Sequence, residues 1–356
     1  MKKILFVALA ATLLAAGCQK TEVINRVGDV MTFSTEMNKL TKADEGTTTG
    51  DLTTLKAQQF KVWAYTAYED QLNGVTPGKE YDGIAGLVIK YDETSDKWVT
   101  ADNKDYYWPG KENDLEFYGI STDFAIVTDK PEKEGEPAVN TVITPSTGRK
   151  IVITGYTVTP TKATDDLMIA DFVTQNQTDK TDKSVSMHFN HALSKVTFAF
   201  NTAGSKQVKV TKLEVLDLNT SGVLTVEENA AVANDQTRTS VSLSWTENMD
   251  NFTAAKGNFV REFTGDDSIL AIGDHVPFTT WLVIPQVLTN KNVKIDYSIG
   301  EKSFTHVFPL ANATALPNGW EVNQSITYKV TLSPNTISFV PSVQDWEEKT
   351  PIEEVN

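Results

Sequence analysis

The side chains best suited to metal binding or acid–base chemistry are the four histidines, His188, His191, His275 and His306. His188 and His191 lie three residues apart, a spacing that puts both on one face of a helix but on opposite faces of a strand. The residues around them have the pattern of a strand. We therefore predict that they share no metal ion.

The remaining reactive groups form no catalytic pattern. The sequence contains no G-x-S-x-G, H-E-x-x-H or Walker-type glycine motif. Adjacent acids at Asp165-Asp166, Asp266-Asp267 and Glu347-Glu348 are expected by chance in a chain with 47 acidic residues. Carboxylate pairs that hydrolyse glycosides are defined by their separation in space, which a sequence does not give. We predict that the protein is not an enzyme and carries no metal or cofactor.

The single cysteine, Cys18, follows a basic start and an apolar run over residues 4–16. This is the pattern of a secretory signal, and the run is shorter than the roughly 20 residues that cross a bilayer. The ending Gly17-Cys18 resembles the lipobox of bacterial lipoproteins, whose cysteine becomes the first mature residue and carries acyl chains such as palmitate. We predict a signal peptide over residues 1–17, cleavage after Gly17, lipid on Cys18 and no transmembrane helix. The alternative is a plain secretory signal with a chance cysteine.

The charge of the chain bears on its partners. Removal of residues 1–17 takes away two lysines and changes the formal net charge from −15 to −17. This acidity argues against nucleic acid as a partner. The ~340 residues that remain exceed what one core usually fills, so we predict two domains.

Alternation of apolar and polar residues predicts many short antiparallel strands. The predicted strands are 59–68, 84–91, 115–121, 151–158, 195–200, 208–218, 222–226, 239–245, 279–285, 292–299, 303–309 and 325–332. Short strands separated by Gly, Asn, Asp and Pro indicate an all-β protein built of β-sandwiches. We place the domain boundary in the polar stretch 174–183. The domains are then 55–183 and 184–356, preceded by an N-terminal strand and polar junction over 18–54.

Five segments distributed along most of the chain are similar to those of one family. The most specific is MHFNHALSKVTFAF at 187–200, close to a Phe-x-His-x-Leu-x-Lys-Val signature. The others are MTFST followed by LTKADEG, FKVWAY, YYWPGKENDLEFYGIS, and SITYKVTL with a tail ending in SVQDW. They resemble the fimbrillin, or Mfa-like, family of lipoprotein pilins (type V pili) from anaerobic Gram-negative gut and oral bacteria. His191 is the histidine of the Phe-x-His-x-Leu-x-Lys-Val signature, and the match implies a structural role in which it bonds a backbone group. Asn323 stands where the family usually has glycine, and residues 119–121 replace the usual ending in proline.

The resemblance implies two tandem transthyretin-like β-sandwiches and the role of a fimbrial subunit at the outer membrane. In that family a protease removes the lipid and the first strand, and the C-terminal segment of a neighbouring subunit fills the vacated groove. The scheme is physically reasonable because a missing strand leaves unpaired backbone groups and an apolar slot, which an added strand satisfies. The expected partners are copies of this chain or related fimbrial subunits, the outer membrane through the lipid, and host or bacterial surface ligands.

Applied to this sequence, the resemblance implies a leaving strand at roughly residues 27–36, with cleavage between residues 37 and 54. Lys42 is the basic residue that matches the family junction, where arginine is more usual. The donor would lie within residues 335–346, with apolar members Ile337, Phe339, Val343 and Trp346. Pro341 interrupts the alternation, so we predict two short strands there rather than one.

Alternatives remain open for these segments and for the function. The tail could be an ordinary final strand followed by an acidic end, and residues 37–54 could be an ordinary loop. The protein could also be a surface lipoprotein that binds a glycan or host protein without polymerising. Seven tryptophans could stack on sugars, although in strands a tryptophan is more often part of the core.

Overall fold

The computed structural model describes residues 28–37, 53–57, 59–121, 140–160, 166–179, 183–203, 206–231, 237–249, 252–333 and 337–346. These residues are nearly all in strands and turns. They include one short α-helix, α1 (Thr53–Ala57), and one 3-10 helix at Gly265–Ser268. Within the described residues, no helix has the length and apolar character needed to cross a membrane.

The strands are numbered in chain order. The first eleven are β1 (Thr32–Met37), β2 (Phe60–Thr66), β3 (Glu80–Asp92), β4 (Lys97–Thr100), β5 (Leu115–Ser121), β6 (Asn140–Thr144), β7 (Lys150–Thr157), β8 (Met168–Ala170), β9 (Phe172–Gln175), β10 (Ser184–His191) and β11 (Ser194–Asn201). The others are β12 (Val208–Asn219), β13 (Ser221–Ala231), β14 (Arg238–Thr246), β15 (Asn248–Met249), β16 (Phe252–Thr253), β17 (Lys256–Glu262), β18 (Val276–Val283), β19 (Asn292–Ile299), β20 (Lys302–Pro309), β21 (Gln324–Leu332) and β22 (Ile337–Asp345).

The largest sheet has twelve strands in the order β2-β3-β4-β1-β10-β8-β5-β9-β14-β13-β7-β6. Because β2 also pairs with β5, the first seven strands of this order close into a ring. The other five strands continue from β5 as an open sheet. β1 is therefore one member of a closed ring, between β4 and β10.

Two four-stranded sheets, β18-β11-β21-β22 and β17-β12-β19-β20, face each other. Near one edge, the rings of Phe259 in β17 and Trp281 in β18 lie 5.6 Å apart. Near the other edge, Phe308 in β20 stacks on Phe339 in β22 at 5.1 Å. The two sheets therefore form a β-sandwich. The edge strands β20 and β22 lie on the same side of it.

Buried side chains form two clusters. The ring core contains Met31, Phe33, Phe60, Phe117, Phe189 and other side chains of the seven-stranded ring. We call β5 and the five strands that continue from it the extended sheet. The larger cluster joins side chains of the extended sheet, such as Tyr118, Phe172 and Leu224, to those of the four-stranded sheets, such as Phe198 and Ile295. Tertiary packing is thus continuous from the extended sheet into the sandwich.

The predicted all-β fold with sandwich packing is confirmed. The alternating segments are strands whose inward residues are fully buried, as for Val293 and Ile295 in β19. The division of the chain at residue 183 stays a prediction. β10, which follows that point, lies in the twelve-stranded sheet, and so do β13 and β14.

Candidate functional site

β1, which overlaps the proposed leaving strand, completes the ring of seven strands. It runs parallel to β10 over six register pairs, from Thr32 opposite Ser184 to Met37 opposite Phe189. On its other side it meets β4 at one pair, Phe33 opposite Trp98. Removal of β1 would open the ring and leave the backbone groups of β10 unpaired along one edge.

The inward face of β1 belongs to the ring core. Met31, Phe33 and Thr35 are only 5%, 6% and 8% exposed, whereas Thr32 and Glu36 face solvent. Burial of a phenylalanine or methionine side chain stabilises a protein by roughly 1.5–3 kcal/mol. A ring without β1 would therefore present an apolar slot beside an unpaired strand.

Side chains from distant parts of the sequence hold the start of this segment. The Asp29 N–H donates to Gln177 Oε1 at 3.2 Å, and Gln177 Nε2 donates back to Asp29 Oδ2 at 2.8 Å. The Lys183 ammonium forms an ion pair with the same carboxylate. The hydrogen bond from Lys183 lowers the pKa of the Asp29 carboxyl below its ordinary value.

Backbone contacts fix the same segment against the chain that follows β4. Met31 N–H donates to the Tyr106 carbonyl at 2.7 Å, and Trp108 N–H donates to the Asp29 carbonyl at 3.0 Å. A Cβ added at Gly28 would lie 2.2 Å from the Trp108 carbonyl oxygen, so the approach requires glycine.

The outward face of β1 makes polar contacts with β10. Ser34 Oγ lies 3.0 Å from Ser186 Oγ and 3.4 Å from Ser184 Oγ. Glu36 approaches His188 Nδ1 at 3.4 Å. These contacts fix the register of β1 on β10 from the solvent side.

The candidate donor, the tail, forms a single strand, so the prediction of two short strands is wrong. β22 pairs antiparallel with β21 over nine register pairs, and Pro341 lies opposite Tyr328 in the middle. A proline is tolerated there because an edge strand is hydrogen-bonded on one side only. Ile337, Phe339 and Val343 pack on the larger cluster from this edge.

Trp346 fixes the end of the tail. Its ring stacks on His191 at 3.9 Å with an interplanar angle of 2°, and Lys195 Nζ lies 5.5 Å from the ring centroid. The backbone N–H of Trp346 donates to the Asn323 carbonyl at 3.1 Å. At 5% exposure, this tryptophan is the most buried of the four proposed donor residues.

His188 and His191 lie on opposite faces of β10, as the strand pattern predicted. His188 faces Glu36, while His191, on the opposite face of β10, has its Nδ1 2.5 Å from Asp166 Oδ2. The expectation that His191 bonds a backbone group is corrected, because its ring meets a buried carboxylate. Among the described residues, no group of three or more His, Cys, Asp or Glu side chains is placed to hold a metal ion.

Several predicted positions lie outside the described residues. They are Gly17, Cys18 and Lys42, together with the acidic end that follows Trp346. Lipidation and cleavage at these positions stay predictions.

The tryptophans do not form an exposed platform. All seven lie within the described residues, and each is buried or half-buried. Trp63 and Trp108 of the first half are 8% and 1% exposed. Their burial agrees with a role in packing.

Sequence reasoning missed the contacts of Asp29 with Gln177 and of His191 with Asp166. The first pair is separated by 148 residues and the second by 25. Neither has a local pattern, because each depends on which strands become neighbours. In the sequence, Asp166 stood out only as part of the adjacent pair Asp165-Asp166, which is expected by chance.

Comparison with known proteins supplies the family. Residues 41–346 match the sequence profile of a family described as fimbrillin-like. Such a family suggests a structural protein with a pilus-related role at the cell surface. The chain matches no curated protein.

Several solved structures are similar to this chain at low sequence identity. A candidate cell adhesion protein from Bacteroides ovatus is 11% identical with a TM-score of 0.51, and the match covers 91% of this chain and 100% of that one. One from Bacteroides uniformis is 15% identical with a TM-score of 0.50, covering 90% and 99%. A fimbrial protein from Bacteroides vulgatus is 15% identical with a TM-score of 0.47, covering 88% and 99%.

Proposed function

Because the chain belongs to the fimbrillin-like family, we propose that it is a structural subunit of a cell-surface fimbria that assembles by strand exchange. The chain is exported as a lipoprotein, acylated at Cys18 and held at the outer membrane. Cleavage after Lys42 then releases the lipid-bearing segment together with β1. The tail of a second copy occupies the place of β1 in the ring.

The observation that supports this proposal best is the complementary placement of the two strands. β1 lies inside a closed ring with a buried apolar face, so its loss creates a site for an added strand. Within the described residues, β22 lies at the edge of its own sheet and pairs with β21 alone. It can therefore leave β21 without interrupting the middle of a sheet.

Deletion of the tail tests the assembly step. Removal of residues 335–356 is expected to abolish heat-labile multimers on a gel, because the donor strand is lost. Removal of residues 347–356 alone is the matched control and is expected to preserve the multimers, because the four proposed donor residues remain. Thermal melting of the purified monomer establishes whether the shorter chain folds. Undiminished multimers in the larger deletion would show that the tail is not the donor.

Replacement of Lys42 tests the cleavage step. Subunits recovered from fimbriae are expected to begin at Ala43, whereas Lys42→Gln is expected to yield chains that begin at Cys18 and do not assemble. Lys39→Gln serves as the control, since Lys39 does not match the family junction. N-terminal sequencing gives the result directly, and fimbriae built of subunits that begin at Cys18 would contradict the proposal.

A further inference from the structure

We propose that the incoming tail adopts the direction and register of β1, with Phe339 in the place of Phe33 and Pro341 in the place of Thr35. This inference rests on the proposed strand exchange and adds which tail residue fills which position. The ring of one copy is then a binding site for residues 337–341 of the neighbouring copy.

The two segments alternate in the same way. Residues 31–35 read MTFST, and residues 337–341 read ISFVP. The first, third and fifth positions of MTFST are buried and the second is exposed. In ISFVP the first three positions are half-buried, the fourth is exposed and the fifth is buried. Of the half-buried three, Ile337 and Phe339 are the ones that pack on the larger cluster. Superposition in the same direction therefore puts each inward side chain of one segment on an inward side chain of the other.

The backbone of β1 accepts a proline at Thr35. Met31 N–H donates to the Tyr106 carbonyl, and backbone groups of successive strand residues point to opposite sides. Because Tyr106 belongs to the chain that follows β4, we infer that the odd-numbered residues of β1 point toward β4 and the even-numbered ones toward β10. Among the described residues, β1 pairs with β4 only at Phe33. A proline two residues later consequently loses no hydrogen bond to β10.

The side chain of Thr35 also favours the exchange. Its Oγ1 is buried and meets no hydrogen-bond partner within the described part of the chain. A buried polar atom without a partner is unfavourable. The apolar ring of Pro341 in this position brings no such atom, so the tail suits the slot better there than β1 does.

Other registers fit worse. A shift by one residue turns Ser338, Val340 and Ser342 toward the core, because the faces of a strand alternate. A shift by two in one direction puts Pro341 at Phe33, where the ring makes its pair with β4. A shift by two in the other direction puts the Phe339 ring into the position of a threonine.

Cysteine scanning in fimbriae tests the register. Ser34 lies opposite Ser186 with their Oγ atoms 3.0 Å apart, and the proposed register puts Val340 in the place of Ser34. We combine Ser186→Cys with one tail cysteine, Ser338→Cys, Val340→Cys or Ser342→Cys, in the full-length chain. The expected result is a ladder of disulfide-linked multimers, strongest for Val340→Cys, that survives boiling and disappears with reductant.

The outcomes separate the register from the exchange itself. Strongest linkage through Ser338→Cys or Ser342→Cys would overturn the register while supporting strand exchange. No linkage between subunits from any tail cysteine would overturn the register. If tails in the same fimbriae also remain on their own β21, strand exchange is overturned as well. Ser186→Cys alone controls for Cys18, the one native cysteine. Lys329→Cys with Val340→Cys, which are register partners within the chain, reports tails that remain on their own β21.

Discussion

At the residue scale, Asp29 links the start of the leaving strand to residues about 150 positions away. Its carboxylate accepts from Gln177 and pairs with Lys183. The carboxylate is exposed, so the contribution of the pair to global stability is small. Its effect is local, because it holds the segment that leaves the ring in the proposed strand exchange.

This contact predicts a pH dependence. A carboxyl whose pKa is lower in the folded than in the unfolded state stabilises the fold above its unfolded pKa, and the stabilisation is lost as pH falls through the folded pKa. Asp29 has such a lowered pKa, from an ordinary value of 3.8. The wild type is therefore expected to unfold at a higher urea concentration than Asp29→Asn at pH 6, with the difference shrinking below pH 3.8. If the wild type and Asp29→Asn differed in urea midpoint by the same amount at every pH, the lowered pKa of Asp29 would not be the cause of the difference.

Gly119 in β5 lies against side chains of the ring core. An added Cβ would lie 2.6 Å from Met187 Cε and 3.0 Å from Ala170 Cβ. Gly119→Ala is expected to lower the free energy of unfolding by about 1–3 kcal/mol, as overpacking of a core does. Gly257→Ala, whose Cβ would approach the Thr220 methyl at 3.1 Å, is the control with a smaller expected loss. Equal urea midpoints for wild type and Gly119→Ala would show that the core adapts.

At the element scale, the tail strand is held at its end as well as along its length. Phe339 stacks between Phe308 and Tyr328, and Trp346 stacks on His191. The tail must give up these contacts before it can serve as a donor. In the isolated monomer they keep β22 on its own sheet.

Truncation of Trp346 is therefore expected to loosen β22. A buried tryptophan replaced by alanine typically costs about 3–5 kcal/mol, so Trp346→Ala should strongly reduce amide exchange protection over residues 337–345. Val340→Ala, at a position 55% exposed, should change protection by no more than about 0.5 kcal/mol. Unchanged exchange in Trp346→Ala would mean that the ladder with β21 alone holds the tail.

The sequence predicted strands such as β19 and β21, in which one face is buried and the other meets solvent. β19 and β21 alternate between core and solvent, so their period of two is visible in residue types. β8 is buried on both faces and reads MIA, which has no alternation to detect. β22 was predicted as a broken tail because Pro341 obscured its pattern. The apolar residues of the candidate donor were visible in the sequence, while the partner strand and the stacking of Trp346 were not.

At the scale of the whole molecule, the ring and the sandwich are joined by a continuous core. The larger cluster contains side chains from the extended sheet and from both four-stranded sheets. A subunit that donates its tail and receives another can therefore transmit mechanical load through packed strands. No active centre is needed for this role, and the family suggests none.

The most direct test is the density between β4 and β10 in an electron cryomicroscopy map of assembled fimbriae. We expect a strand there that is continuous with the C-terminal segment of the neighbouring subunit, with the ring of Phe339 in the position of Phe33. Density continuous with residues 28–37 of the same subunit would contradict it.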